Sequence, residues 1–215
     1  ESFKNARRLV GGLATPDTGL TARMTIGDLA PGQDVFYRVT FEDLSDSRIV
    51  SEPQVGRFRT APERRRPVRL AWSADTCGQG WGIDTARGGM RLFETMRAAQ
   101  PDLFLNVGDT IYADQPLRET VTLEDGTLWR NLVTPAKSKV AETLDEFRGC
   151  HLYNRLDDHY RRFAAEVGQV AMWDDHEVRD NWYPSQVLSE QAPYLEKRVG
   201  VLAARFRDVH MMIQS

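Results

Sequence analysis

The chain has 215 residues, 41% of them hydrophobic and 27% charged, with 28 Lys and Arg against 31 Asp and Glu and a formal net charge of −3. That balance supports an ordinary folded core of one domain, or one domain with part of another, and excludes a disordered chain. The mild negative charge gives no general attraction to nucleic acid or to an anionic membrane, and no apolar run approaches the ~18 residues of a membrane span.

In chain order, residues 1–62 read as β structure. Thr21 to Ile26 alternates, and Val35, Tyr37 and Val39 alternate against Phe36, Arg38 and Thr40. Leu29-Ala30-Pro31-Gly32 is a turn into that strand, and a return strand over Val55 to Thr60 ends at Ala61-Pro62. The order of turn, Tyr-Arg-Val strand and return strand is that of the last strands of a fibronectin-III-like sandwich, here with too few strands to close. Glu63-Arg64-Arg65-Arg66-Pro67 reads as a linker. A second domain, 68–215, opens with a strand from Val68 to Ala74. A Gly-rich loop, a helix from Gly89 to Gln100 halted by Pro101, and a strand from Leu103 to Val107 complete a βαβ unit. Residues 114–135 form an irregular excursion with a hairpin turn at Glu124-Asp125-Gly126. Leu144 to Val167 is helical with a break near Gly149 or Asn154, a strand follows from Gln169 to Trp173, and a last helix starts at about Ala192. The fold class is α/β, α+β when the N-terminal β segment is counted.

Each of the three apolar strands of the second domain runs into an acidic segment. These are Ser73-Ala74-Asp75-Thr76-Cys77, Asn106-Val107-Gly108-Asp109-Thr110-Ile111-Tyr112 and Trp173-Asp174-Asp175-His176-Glu177. If the strands are parallel, all three segments gather at the carboxyl edge of one sheet, where α/β folds hold ligands. Carboxylates, a thiol and an imidazole on one edge describe a metal site. Asp109 follows Gly108, which permits close approach, and a carboxylate there can bridge two cations; alone it would also serve as a helix N-cap. Asp75 and Cys77 lie two apart on an extended exit and could grip one metal or be a turn Asp and a small buried Cys. His176, among polar neighbours, suits a general acid or a phosphate contact. Arg179 and Asn181 follow on the same loop, where Arg179 could hold a phosphate oxygen or be a surface residue. His151 and His159 read as solvated or capping, and Asp208 with His210 as helix residues. Cys77 and Cys150 could pair as a disulfide; the alternative keeps Cys77 as a metal thiolate and buries Cys150 in a helix.

Taken together, Asp75-Thr76-Cys77, Gly108-Asp109-Thr110-Ile111-Tyr112 and Trp173-Asp174-Asp175-His176-Glu177-Val178-x-x-Asn181 resemble the PhoD-like alkaline phosphatase/phosphodiesterases of the calcineurin-like metallophosphoesterase superfamily. The segment Gly56-Arg57-Phe58-Arg59-Thr60-Ala61-Pro62 is similar to the end of that family's N-terminal fibronectin-like domain. The resemblance implies an αββα sandwich and a centre of iron(III) paired with calcium. Cys77, Asp109 and Tyr112 would serve iron, Asp109 would bridge, Asp175 would complete the second site, and Asp75 stands at the superfamily's first ligand. His176 would contact phosphate and protonate the leaving group, aided by Arg179, with Asn181 in substrate binding. The implied substrate is a small phosphate mono- or diester, and the implied location periplasmic or secreted, although Glu1 to Arg8 do not form a signal peptide. The family's late Gly-Asp-x-His motif has no counterpart before Ser215. The chain therefore reads as a truncated product at both ends, weak in metal binding and turnover. The rival reading is an inert fragment acting as a fibronectin-like binding module.

Overall fold

The computed structural model describes residues 3–183. The helix expected from about Ala192, with Asp208 and His210, lies outside the described residues. Strands β1 (Asp34–Val39) and β2 (Gln54–Arg59) form an antiparallel pair, Asp34 opposite Arg59 and Val39 opposite Gln54. An isolated bridge between Glu42 and Val50 continues it. Val35, Tyr37 and Val39 are half-buried, while Phe36 and Arg38 between them are exposed, which is the expected alternation.

Thr21 to Ile26 does not form the expected strand. Local bonds take over its start: the Thr18 hydroxyl donates to the Thr21 carbonyl at 2.8 Å and the Thr21 hydroxyl to the Thr18 carbonyl at 2.7 Å. Such side-chain bonds compete with a ladder, and the apolar Met24 is left exposed.

The second part is a three-stranded sheet, β3 (Leu70–Ser73), β4 (Leu103–Val107) and β7 (Gln169–Met172), in the order β3-β4-β7. Both pairings are parallel, Leu70 beside Leu103 and Val107 beside Met172. The expected strands are therefore present and neighbours in one sheet. Between β4 and β7 the chain makes a hairpin, β5 (Thr120–Thr122) and β6 (Leu128–Arg130), closed at Glu124-Asp125-Gly126 as the sequence suggests.

Helices α1 (Arg91–Ala98) and α3 (Asp158–Glu166) cover one face of the sheet through Phe93, Phe104, Tyr160, Phe163 and Val167. The Phe93 and Tyr160 rings meet edge to face, 4.7 Å apart at 79°, an arrangement their quadrupoles favour. Helix α2 (Leu144–Asn154) starts in a capping box: Thr143 accepts from the Glu146 amide while the Glu146 carboxylate accepts from the Thr143 amide. The break between α2 and α3 falls after Asn154, where Asp157 caps α3 by accepting from the His159 and Tyr160 amides. The other Asp157 oxygen accepts from the Met90 amide at 2.9 Å, so one carboxylate sets the starts of both α1 and α3. The N-terminal hairpin leans on α3, the Tyr37 hydroxyl donating to the Ala165 carbonyl at 3.0 Å and Arg57 pairing with Glu166 at 3.2 Å.

The opposite face of the sheet carries Leu70, Trp72, Val170 and Met172, each at least half exposed. Among the described residues, no helix is long and apolar enough to cross a membrane.

Phe163 is 0% exposed at the centre of the helix-sheet cluster. Phe163→Ala is expected to cost about 3–5 kcal/mol by cavity formation, read from urea unfolding; a loss below about 1 kcal/mol would show that this cluster is not the core.

Candidate metal centre

All three strand exits turn in ways that bring polar groups together. After β4 the backbone passes through Gly108 at φ 119°, and a Cβ there would stand 2.5 Å from the Asp174 Cβ. Only glycine lets the β4 and β7 exits approach so closely. Asp109 then takes a left-handed conformation at φ 48°, as do Asp75 at 58° and Cys77 at 55° on the β3 exit. Non-glycine residues held there cost energy and cluster at functional sites. The Thr76 amide donates to the Asp109 carbonyl at 2.9 Å, joining the β3 and β4 exits.

Glu177 joins the β4 and β7 exits. Its carboxylate, 2% exposed, accepts from the amides of Thr110 at 2.6 Å, Asp174 at 2.9 Å and Asp109 at 3.3 Å. The His176 amide in turn donates to Asp109 Oδ1 at 3.1 Å. As a result, one ligand atom each of Asp109, Asp175 and His176 falls within 4.8 Å of the others. The Tyr112 hydroxyl donates to Asp75 Oδ1 at 2.5 Å, and its ring stacks on the His176 imidazole, centroids 4.2 Å apart at 29°. A Cβ on Gly78 would stand 2.1 Å from the Tyr112 ring, so glycine is required under it as well. Asp75, Asp109, Tyr112, Asp175 and His176 are thereby brought to one place.

Cys77 is set differently. It is not in the group with Asp109, Asp175 and His176, but packs against the cluster of Ile83, Leu117 and Tyr153. Burial pushes its thiol up to about 12, Lys137 opposing and Asp157 adding to the rise. Cys77 and Cys150 are both free, and Cys150 is buried in α2, its Sγ 3.6 Å from the Ala136 carbonyl oxygen. Arg179 and Asn181 bind the site through backbone: the Arg179 amide donates to the Asp175 carbonyl at 2.6 Å, and the Asn181 amide to the Asp175 carboxylate. The Trp173 and Trp182 rings stack at 6.2 Å and close this loop.

Burial raises the Asp109 carboxyl to about 6; the His176 amide and ring oppose this, and the charges of Asp175 and Asp174 add to it. A cation placed among these carboxylates would offset that repulsion. The chemistry of the set, hard oxygens plus an imidazole, fits a metal ion of the oxygen-preferring kind. For His176 burial disfavours the imidazolium, but the hydrogen bond and charge of Asp114, helped by Asp109 and Asp175, outweigh it and the net shift is upward. Tyr112 is raised by burial and by its hydrogen bond to Asp75.

Two residues of the site were missed in the sequence. Asp114 lies 2.9 Å from His176 Nδ1 and also accepts the Asp180 amide at 2.7 Å; its only trace in the sequence was a carboxylate directly after the apolar Ile111-Tyr112-Ala113 run. Glu177 read as one more acid in a run, although a carboxylate next to a buried strand needs donors. Of the two readings of His151, solvated or capping, the structure speaks against a solvated group, and the residue lies in the last turn of α2. It is half-buried, its Nε2 has no hydrogen-bond partner, and burial with Arg155 nearby brings it down to about 4. His159 lies 3.0 Å from an Arg162 guanidinium nitrogen and 3.8 Å from Glu94.

A parallel sheet with a carboxylate-imidazole cluster at its carboxyl edge is a place where α/β folds hold ligands, and its groups could hold a metal ion. The family model of the PhoD-like phosphatases matches residues 70–209, and that of the PhoD-like phosphatase N-terminal domain matches residues 1–62. The chain belongs to the PhoD-like phosphatase family. It is 25% identical to alkaline phosphatase D of Bacillus subtilis (strain 168), over 100% of this chain and 34% of that protein. A solved structure described as "Structure of PhoD" matches 94% of this chain and 35% of its own at a TM-score of 0.64 and 25% identity. The chain thus spans about a third of the length of these relatives.

Glu177→Gln puts an NH2 group where an amide now donates, and is expected to cost about 1–3 kcal/mol in urea unfolding; an unchanged midpoint would show that the carboxylate does not hold the two exits. A second expectation follows from Asp109, whose folded carboxyl lies above its usual ~3.9. Its proton is bound more tightly in the folded chain, so its contribution to stability is full below that value and lost as pH rises through about 6. With chelator present, the melting temperature of wild type should fall over this window relative to Asp109→Asn. Parallel pH profiles for the two would rule this out.

Proposed function

We propose that this fold hydrolyses phosphoric esters through a two-metal centre at the carboxyl edge of its parallel sheet. The observation that carries the reading is the meeting of Asp109, Asp175 and His176 within 4.8 Å at exits of neighbouring strands, in a chain of the PhoD-like phosphatase family. The ligands in this reading are Asp75, Cys77, Asp109, Tyr112 and Asp175. Asp109, which interacts with both Tyr112 and Asp175, would be the residue shared by the two metals, as the family resemblance implies. Family resemblance selects iron(III) for the site of Cys77, Asp109 and Tyr112 and calcium for the second. A thiolate at Cys77 requires a cation, since burial alone keeps the thiol protonated.

Bound metals would supply Lewis acidity and a hydroxide nucleophile at neutral pH. The chain's own groups do the rest. His176 is the general acid that gives a proton to the leaving alkoxide; Asp114 on Nδ1 favours the imidazolium and leaves Nε2, 3.6 Å from the Asp180 carboxylate, as the nitrogen that gives the proton. Arg179 neutralises charge on the phosphoryl oxygens and, with Asn181, binds substrate. The Asp109 and Asp175 carboxylates are fixed in advance by backbone donors, so they need not reorganise on binding. The substrate class is a small phosphate mono- or diester.

In the same reading, residues 1–62 are a partial fibronectin-III-like domain and 68–215 the catalytic part of an αββα sandwich; the antiparallel β1-β2 pair and the parallel β3-β4-β7 sheet support the division. Family resemblance supports a periplasmic or secreted enzyme. The rival, an inert binding module, is not favoured: it leaves unexplained three left-handed residues and the crowded carboxylates at one sheet edge.

The test is metal analysis together with hydrolysis of bis-p-nitrophenyl phosphate and of an alkyl phosphodiester. Asp109→Ala should lose bound metal and turnover together. His176→Ala should keep metal and lose roughly 10²–10⁴-fold in kcat on the alkyl ester, but much less on the p-nitrophenyl ester, whose leaving group needs no proton. Equal losses on both esters would remove His176 from the role of acid.

A further inference from the structure

Lys137 sits on the short turn Pro135–Lys137 and is 2% exposed. A buried ammonium is costly unless what it holds repays the desolvation. Its Nζ donates to the Tyr112 carbonyl at 2.7 Å and stands 5.9 Å above the Tyr153 ring, while its own carbonyl accepts from the Leu117 amide at 2.7 Å. The side chain thus reaches from outside the sheet to one peptide, that between Tyr112 and Ala113.

That peptide lies between the two side chains that hold His176. The Tyr112 ring lies against one face of the imidazole, and Asp114 holds Nδ1. The Ala113 amide, of the same peptide, donates to the His176 carbonyl at 3.0 Å, and the Ala113 carbonyl accepts from Ala141 at 2.8 Å. The Tyr112 carbonyl faces the other way, into the interior, and Lys137 is its donor. Losing that donor would leave a buried carbonyl unpaired and free the peptide to rotate, carrying the Tyr112 ring and Asp114 with it.

We propose that Lys137 is a positioning residue for the hydrolytic reaction, holding the Tyr112–Asp114 segment so that the ring of one and the carboxylate of the other fix the imidazole of His176. The proposal rests on the reading of His176 as the general acid. Lys137→Met keeps an apolar stem as far as the ε position and has no donor, whereas Lys137→Gln, also one atom shorter than lysine, offers an uncharged donor toward the same carbonyl.

Two readouts on the 215-residue chain test it. The first is NMR of the His176 ring protons in the metal-free protein, which the Tyr112 face shields in the wild type. In Lys137→Met these signals should lose that shielding, and in Lys137→Gln they should return toward it. The second is the metal-loaded protein on the alkyl diester, where Lys137→Met should lose about 10- to 100-fold in kcat with KM unchanged and Lys137→Gln should recover part. A folded Lys137→Met protein with wild-type ring signals overturns the proposal. If Lys137→Met does not fold, loss of the shielding in a folded Lys137→Gln protein overturns it, and retention supports it. Absence of turnover in every protein, wild type included, would defeat the hydrolase reading while the NMR comparison still decides the role of Lys137.

Discussion

Glu177 is the interaction on which the rest of the site depends. A parallel sheet delivers its strand ends to one edge, but it does not dictate how the loops beyond them pack. Here a single buried carboxylate collects three amides, two from the β4 exit and one from the β7 exit. The Asp109 amide would otherwise be an unpaired donor in the interior, and the Thr110 and Asp174 amides reach the same carboxylate through partly buried bonds. Three N–H bonds to one anion also answer the cost of burying it, although the net shift of the carboxyl remains upward because desolvation leads. The approach that Gly108 permits is therefore fixed, and Asp109 and His176 meet as a consequence.

A second layer holds the residues that Glu177 brings together. Asp114, on the loop after β4, binds the imidazole of His176 and the amide of Asp180, so it ties the β4 exit to the loop beyond β7 a second time. The Tyr112 phenol bonds to Asp75 on the β3 exit and its ring covers His176. Three strand exits are thus cross-linked by side chains of the site itself. Further back, Asp157 sets the starts of α1 and α3, which cover the sheet from below and fix the strands whose ends carry the site.

The sheet was legible because its strands are apolar runs bounded by turn residues, and 103–107 reads the same in sequence and structure. The acidic exits were legible for the same reason: polar groups at the end of a buried strand stand out. Thr21 to Ile26 misled because alternation alone does not provide a partner, and the Thr18 and Thr21 hydroxyls satisfied its backbone locally. His151 misled because its Arg-rich helix suggested a wet face, while burial on a helix depends on which side the core lies. Asp114 and Glu177 were hidden for a different reason. A residue that acts by holding another's hydrogen-bonding groups leaves no spacing rule in the sequence, since its partners come from distant segments.

In the proposed reading, the same geometry would couple metal binding to the fold. Asp109 is buried beside Asp174 and Asp175, and it is kept near them by amides that do not change with pH. Burial is the main reason its carboxyl sits near 6, and the charges of Asp175 and Asp174 add to the rise. A cation placed among the same oxygens, as the proposed function requires, would displace the carboxyl proton and offset the repulsion. Without a cation the site is therefore most strained as pH rises through about 6 and Asp109 ionises beside Asp174 and Asp175. The Cys77 thiol is held neutral by burial against Ile83, Leu117 and Tyr153, and in the proposed reading a cation would be needed to stabilise its thiolate. Amide hydrogen bonds from His176 to Asp109 and from Asn181 to Asp175 hold these carboxylates close together in spite of their mutual repulsion, an arrangement that a bound cation would relieve.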